Sequence, residues 1–277
     1  MSDLIKTAGK ILTDAGIKNS RFESELILSH LLNIERWNLY VNPPEINSII
    51  EKNFFSLIKK RAQHIPIAYL LKKTYFFNLC FEITSGVFIP RPETETIVIA
   101  AMHLFPDKNL KMNVLDICTG CGALAITIAR LFPYATVYAT DISKRAVKIA
   151  KKNVSLYGLD SRVFVRRADI ISGNIREKFS LIVSNPPYLT EDEIKSAPEE
   201  VRKEPFRALY GGKNGMEVIL EILKKTRDII ERHGFLIFEV SPSQIEFFSD
   251  LSDYGFVRCY VFKDISGVER VVVLRKI

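Results

Sequence analysis

Cysteine is scarce in this chain: 277 residues carry four, at positions 80, 118, 121 and 259. So few cannot make a disulfide framework, and a reduced, cytoplasmic setting is expected. Cys118 and Cys121 form a C-x-x-C, but a zinc site needs a second pair at matching spacing. Cys80 and Cys259 stand alone and no histidine is close in sequence, so no metal is expected. Small residues in a ligand-binding turn are the simpler reading of that pair. Long apolar runs are missing too. None approaches the roughly 20 residues of a membrane span. The opening Met1-Ser2-Asp3-Leu4-Ile5-Lys6 has no basic region followed by an apolar core, so no secretory leader is expected. Two phosphate-binding signatures are absent as well. Position 125 is Ala where G-x-G-x-x-G would need its third glycine, and Gly-Lys-Ser/Thr does not occur. Internal repeats and low-complexity tracts are not visible.

What remains is ordinary globular composition, with 47% hydrophobic and 26% charged residues, so disorder is not the expectation. The net charge of +7 raises nucleic acid as a partner. Lys144, Arg145, Lys148, Lys151 and Lys152, however, fall at helical spacing, where a solvated face is the usual explanation.

The informative stretch is Asn185-Pro186-Pro187-Tyr188, directly after the apolar run Phe179-Ser180-Leu181-Ile182-Val183-Ser184. Proline lacks an N–H, fixes its own φ and pushes the preceding residue into an extended conformation. A strand that ends this way forms a stiff cup, with carbonyl acceptors on one wall and an aromatic face on another. Such a cup suits a flat group bearing NH2, either an amide or an amino-substituted base.

Upstream, Met112-Asn113-Val114-Leu115-Asp116-Ile117 leads into Cys118-Thr119-Gly120-Cys121-Gly122 and then an apolar helical pattern from Ala123 to Leu131. Strand, glycine turn and helix bring backbone amides and a helix N-terminus against a ligand. A second strand, Ala135 to Thr140, ends at Asp141, whose carboxylate can take two hydrogen bonds from a ribose diol. A ribose without a pyrophosphate fits S-adenosylmethionine.

With these residues in view, the chain resembles the release factor glutamine methyltransferases of the HemK/PrmC type. The likeness also includes Pro66-Ile67-Ala68-Tyr69-Leu70, Ile89-Pro90-Arg91-Pro92-Glu93-Thr94-Glu95, and Glu204-Pro205 with Ala208-Leu209 and Gly211-Gly212. The Ile89 to Glu95 stretch separates it from DNA and RNA methyltransferases that share Asn-Pro-Pro-Tyr. The resemblance implies methyl transfer from S-adenosylmethionine to the side-chain amide nitrogen of the glutamine in a Gly-Gly-Gln loop of peptide chain release factors. No membrane and no stable nucleic-acid partner is implied. It assigns catalysis to Asn185, Pro186 and Tyr188, and substrate binding to these together with Pro187. The cofactor falls to Cys118, Thr119, Gly120, Cys121, Gly122, Asp141, Ile170 and Asn185. The chain departs from the family pattern at Cys118, usually Gly, at Ile170, usually aromatic or polar, and at Ser241-Pro242, usually a Gly-containing turn. Two other readings stay open: an amino-group methyltransferase acting on a DNA or RNA base, and a non-enzymatic binding module that kept the fold.

The chemistry follows from the amide. Its nitrogen lone pair is delocalised, so the protein has to align it and favour a more pyramidal nitrogen, which two acceptors on the NH2 hydrogens would do. The expected acceptors are the Asn185 side-chain oxygen and the Pro186 carbonyl, with Tyr188 stacked on the plane.

Apolar spacing predicts helices over Leu4–Leu12, Phe22–Leu31 and Ile46–Ile58, then a β-hairpin over 74–84 with Asn78 near its turn. A helix to Leu104 follows, then strands near 112–117, 135–140, 162–167, 179–184, 235–240, 256–262 and 269–275. Alternation of this kind predicts an α/β fold with a mostly parallel sheet. The last two strands are joined by only Asp264-Ile265-Ser266-Gly267, so they should pair antiparallel. A class I methyltransferase sheet of seven strands is what the resemblance implies as well. Expected domains are a helical substrate-recognition part over 1–73, a hairpin linker over 74–92 and a methyltransferase domain over 93–277.

Overall fold

The computed structural model describes residues 2–170 and 177–277. The chain divides into two compact units, Met1–Lys73 with Pro198–Lys203, and Thr74–Ala197 with Glu204–Ile277.

The smaller unit contains α1 (Ser2–Asp14), α2 (Ser20–Leu32), α3 (Asn38–Val41), α4 (Ser48–Ala62) and α5 (Ile67–Leu71). Ile5, Ala8 and Leu12 lie on one stripe of α1 and are buried with Ile27, Leu28, Phe54 and Ile58 in a common core. Asn47 caps α4, its side chain accepting from the Ile50 N–H at 2.9 Å. Near the other end of α4, the buried Arg61 donates to Glu23 through Nε at 2.5 Å and pairs with Glu200 at 2.8 Å. The short helices α3 and α5 are additional to the sequence expectation. At four and five residues, they are too short to show a periodic stripe.

In the larger unit, β1 (Lys73–Phe76) and β2 (Leu79–Glu82) make a two-stranded hairpin. Phe77 and Asn78 both have positive φ, at 48° and 59°, which is the backbone of a tight two-residue hairpin turn. Then come α6 (Glu95–Leu104), β3 (Asn113–Ile117), α7 (Ala123–Leu131), β4 (Thr136–Asp141), α8 (Lys144–Leu156), β5 (Val163–Arg167) and β6 (Phe179–Ser184). The short helix α9 (Glu191–Ser196) comes next; α10 (Glu199–Arg202) belongs to the smaller unit, and the larger unit resumes with α11 (Phe206–Leu209), α12 (Glu217–Thr226), β7 (Ile230–Glu239), β8 (Phe256–Lys263) and β9 (Glu269–Lys276).

The seven strands β3 to β9 form one sheet in the order β5-β4-β3-β6-β7-β9-β8. The first five of these pair in parallel, while β9 runs antiparallel to both β7 and β8. Val114, Leu115, Leu181, Ile182, Leu236 and Ile237 are all fully buried. Neighbours along a strand face opposite ways, so both faces of the central sheet are covered. On one face Ile219, Ile222 and Leu223 of α12 pack with Ile117, Ile182 and Phe238.

One strand differs from the sequence reading. β7 begins at Ile230 rather than near 235, and its pairing with β6 is irregular: Phe179 faces Ile230, but Leu181 faces Phe235. The extra segment Glu231-Arg232-His233 is exposed and polar, and His233 sits at φ 64°, so no alternating pattern reveals it.

The order places β3 where the winding of the sheet reverses, with β4 on one side and β6 on the other. A crevice at the carboxyl ends of the strands flanking such a point is the usual ligand position in open α/β sheets. The residues Ile117, Asp141, Ser184 and Glu239 end β3, β4, β6 and β7 respectively.

Candidate active site

Two rows of residues meet at that crevice. The first is the glycine turn between β3 and α7. Asp116, fully buried, accepts the Thr119 hydroxyl at 2.5 Å and the Ala125 N–H at 3.1 Å, so its carboxylate both holds the turn and faces the start of α7. Its other oxygen, Oδ1, is buried and has no partner among the described residues. Burial, partly opposed by those two hydrogen bonds, pushes its pKa up to about 7.

Cys118 adopts φ 62°, a conformation glycine reaches at no cost, so the Cys departure keeps the left-handed backbone at some strain. Gly120 also has positive φ, and among the described residues nothing lies within 4 Å of where its side chain would begin. Gly122 is the opposite case: a side chain there would meet Ala150 of α8 at 3.3 Å. Gly120 thus leaves room for a ligand against the backbone, and Gly122 allows α7 and α8 to approach. Burial raises the pKa of both thiols, that of Cys121 to about 12, so neither is a ready nucleophile.

Asp141 is tied to the same turn. One oxygen accepts the Gly120 N–H at 2.9 Å and the other the Ser143 N–H at 2.8 Å. Each carboxylate oxygen keeps a further lone pair, which suits a ribose diol. Ile170 ends the turn after β5 with φ 61°, an outlier for a β-branched residue, and its carbonyl accepts the Thr140 hydroxyl at 2.8 Å. Open space at Gly120, a carboxylate with spare acceptors and the apolar, buried Ile170 are together the surroundings a nucleoside bearing an amino-acid chain needs. The residues present fit S-adenosylmethionine.

The second row is Asn185 to Tyr188. Ser184 donates to the Ile117 carbonyl at 2.7 Å, fixing the end of β6 against β3. Asn185 Nδ2 then donates to Thr94 Oγ1 at 2.9 Å. Among the described residues no donor is recorded at Asn185 Oδ1. The Pro187 carbonyl oxygen lies 2.6 Å from where a Gly211 side chain would begin, so that carbonyl is turned to the Gly211 segment. Tyr188 Oη donates to Glu239 Oε1 at 3.0 Å, and burial beside that carboxylate raises its pKa. Gln244 Nε2 donates to the Tyr188 carbonyl at 3.1 Å and to the Gly215 carbonyl at 3.0 Å. Ser241-Pro242 opens the 3₁₀ helix Pro242–Ser249 with a capping box in which Gln244 Oε1 accepts the Ser241 N–H at 2.9 Å. That turn aims Gln244 under Tyr188.

Two other stretches quoted from the sequence, Ile89 to Glu95 and the one beginning at Glu204, are tied together in the larger unit. Glu204 accepts the Ile89 N–H at 3.0 Å and pairs with Arg91. Glu95 accepts the Phe77 N–H at 2.7 Å, anchoring the hairpin turn.

Sequence comparison completes the assignment. The Methyltransferase small domain family matches residues 99–239, and the PrmC N-terminal domain family matches residues 3–71. The chain is 34% identical to a release factor glutamine methyltransferase of Clostridium botulinum, over 100% of this chain and 99% of that one. The chain belongs to the release factor glutamine methyltransferases. A relative bearing the same name from Aquifex aeolicus is 32% identical, covering 92% of this chain and 91% of its own.

Solved structures agree on the methyltransferase fold. A methyltransferase from Pyrococcus furiosus superposes with a TM-score of 0.54 at 19% identity, covering 73% of this chain and 90% of that one. The N-terminal domain of human METTL16 in complex with SAH gives 0.52 at 17%, covering 72% and 76%. This methyltransferase uses S-adenosylmethionine as its cofactor.

Sequence reading did not single out Thr94, Glu239 or Gln244 as parts of the site. Thr94 stood inside a quoted stretch and Glu239 inside an expected strand, but nothing local shows which groups they touch. A cavity of about 280 Å³ at the opposite end of the sheet, lined by Phe105, Met112, Ser180, Glu231 and His233 among others, contains none of the candidate residues.

Proposed function

We propose that this methyltransferase methylates the side-chain amide nitrogen of the glutamine in the Gly-Gly-Gln loop of peptide chain release factors, in the cytoplasm where translation termination takes place. The observation that carries this reading is the Asn185 side chain. Its nitrogen is committed to Thr94 at 2.9 Å, so its oxygen is the atom offered to an incoming NH2 group. The Pro186 carbonyl is the second acceptor of the cup. Accepting from both amide hydrogens orients the nitrogen and favours the partly positive, pyramidal nitrogen of the transition state. The Tyr188 ring, held by its hydroxyl to Glu239, is the flat surface on which the amide plane rests.

When bound, S-adenosylmethionine supplies an electrophilic sulfonium methyl. Thr119, Gly120, Cys121 and Gly122 with Cys118 would hold its methionine portion, Asp141 its ribose and Ile170 its adenine. No tuned general base is needed before attack, because the amide proton becomes acidic only after transfer. Substrate recognition falls to the helical residues 1–73, with 74–92 as linker and 93–277 as the methyltransferase domain.

Incubation with labelled S-adenosylmethionine and a bacterial-type release factor tests the reading. Label should appear on the factor and vanish when the loop glutamine is changed to alanine. Label that survives that change sinks it. Methyl transfer to bulk DNA or RNA instead would favour the second reading, an amino-group methyltransferase of nucleic-acid bases, which the net charge of +7 accommodates.

A further inference from the structure

Three segments far apart in the chain meet at one side chain, Gln244, which is 8% exposed. Its Nε2 donates to the Tyr188 carbonyl at 3.1 Å and to the Gly215 carbonyl at 3.0 Å, while its Oε1 accepts the Ser241 N–H at 2.9 Å. All three partners are backbone groups, and a carbonyl only accepts while an N–H only donates. Chemistry therefore fixes which way this carboxamide points. Among side chains of this length, only a carboxamide carries an acceptor and two donors on one planar head.

Tyr188 is thus held at both ends from one stretch of chain. Glu239, the last residue of β7, accepts the hydroxyl at 3.0 Å, and Gln244 in the following 3₁₀ helix donates to the carbonyl. Gly215 closes the third side. A side chain there would begin 2.3 Å from the Tyr188 carbonyl oxygen and 2.9 Å from Gln244 Nε2, so the glycine is what admits the amide.

The Ser241-Pro242 departure from the family pattern belongs to the same device. Pro242 fills the first position of its 3₁₀ helix, where its fixed φ suits the turn and its missing N–H costs nothing. Gln244 is the third residue of that helix and reaches back to the Ser241 N–H. With its oxygen committed there, both amide hydrogens face Tyr188 and Gly215. From this arrangement we infer that Gln244 is a positioning residue for methyl transfer, fixing the Tyr188 peptide and with it the aromatic wall and the adjoining Pro186 carbonyl of the cup. Its hydrogen-bond partners include none of the residues proposed for the cofactor, and all of them lie in the larger unit.

The inference rests on the amide-methylation reading, and the experiment keeps the two apart. Single-turnover transfer from labelled S-adenosylmethionine to a bacterial-type release factor, both saturating, is compared for wild type, Gln244→Met and Gln244→Glu across neutral pH. Calorimetric cofactor affinity and thermal unfolding accompany it. Gln244→Met keeps the length but makes none of the three hydrogen bonds, so the rate should fall roughly tenfold to a hundredfold with cofactor affinity near wild type. Gln244→Glu is the directional test. As a carboxylate it meets two carbonyl oxygens with lone pairs only, and it should be as slow as Gln244→Met at alkaline pH. Burial raises the pKa of such a carboxyl; once protonated, it donates to one carbonyl and still accepts the Ser241 N–H. Its rate relative to wild type should therefore climb by roughly tenfold as pH falls. A contact that only stabilises the fold would lower the unfolding temperature and leave both rates at the wild-type value. Wild-type turnover in the two variants, or a Gln244→Glu ratio flat with pH, overturns the inference. Should Gln244→Glu fail to fold, Gln244→Met decides alone. Loss of cofactor affinity or of the fold in both variants assigns Gln244 to the scaffold and likewise overturns it. A wild type that puts no label on the factor overturns the functional reading instead.

Discussion

Asn185, Asp141 and Asp116 occupy one crevice and should fail in three different ways. On the proposed function, Asn185→Ala removes a contact that matters most in the transition state. Losing such a positioning donor or acceptor costs roughly 2.7–4 kcal/mol, about a hundredfold to a thousandfold in rate. Cofactor affinity should change little, and single-turnover rates beside calorimetry would show the split. The Asp141→Ala variant should do the reverse. It deletes the carboxylate proposed for the ribose and frees the Gly120 and Ser143 amides, so cofactor binding should weaken by roughly tenfold to a hundredfold.

Asp116 carries a pH signature. Its folded pKa, about 7, lies above the ordinary carboxylate value of 3.8, so the native chain binds the extra proton over that interval. The contribution is fully present below about pH 4 and is lost as pH rises through 7, because above that both states are ionised and the buried charge is unfavourable. Unfolding of the cofactor-free protein in urea, measured from pH 5 to pH 8, should show this decline, and Asp116→Asn should flatten it. An unchanged slope in the variant would assign the pH dependence to other groups.

At the scale of elements, the Asn185 to Tyr188 segment keeps its shape because glycines let another segment underneath it. A side chain at Gly215 would begin 2.3 Å from the Tyr188 carbonyl oxygen, and Gly215 sits at φ 71°. At Gly267 the backbone is similar, φ 79°, but none of the described residues comes within 4 Å of where a side chain would begin. Gly267→Ala should therefore cost only the left-handed backbone penalty, about 1–2 kcal/mol. Gly215→Ala should cost more and also lower turnover, since Tyr188 and its contact with Gln244 must shift. Denaturant unfolding and transfer rates for the pair would show whether the close approach matters beyond backbone strain. A similar logic holds for α4, where Arg61 is 3% exposed and faces Glu23 and Glu200. The more exposed Glu200 cannot compensate a buried guanidinium by itself, so Glu23→Ala should destabilise the chain by about 3 kcal/mol or more.

The whole molecule separates recognition from chemistry if the helical residues 1–73 read the protein substrate. Trp37 is 60% exposed and Val41 73%, a large apolar surface left open on that unit. Replacing Trp37 by alanine should raise KM for the release factor while leaving kcat at saturation and cofactor affinity near wild type. An unchanged KM would place recognition elsewhere. Salt dependence gives an independent reading of the +7 charge. If the partner were bulk nucleic acid, binding would fall steeply as salt rises, because each neutralised phosphate releases counterions.

Local chemistry made much of this protein legible in its sequence. Strand and helix periods are properties of neighbouring residues, so the alternation from β3 to β9 and the antiparallel last pair could be read without a structure. Family motifs such as Asn185 to Tyr188 and Cys118 to Gly122 are contiguous, and each sits where its strand ends. Contacts between distant segments were decided only by the tertiary fold. Thr94 and Asn185 are 91 positions apart, and Tyr188 and Glu239 are 51 apart. A threonine after Pro-Glu and a glutamate at the end of an apolar strand look unremarkable until the sheet order brings β6 beside β7.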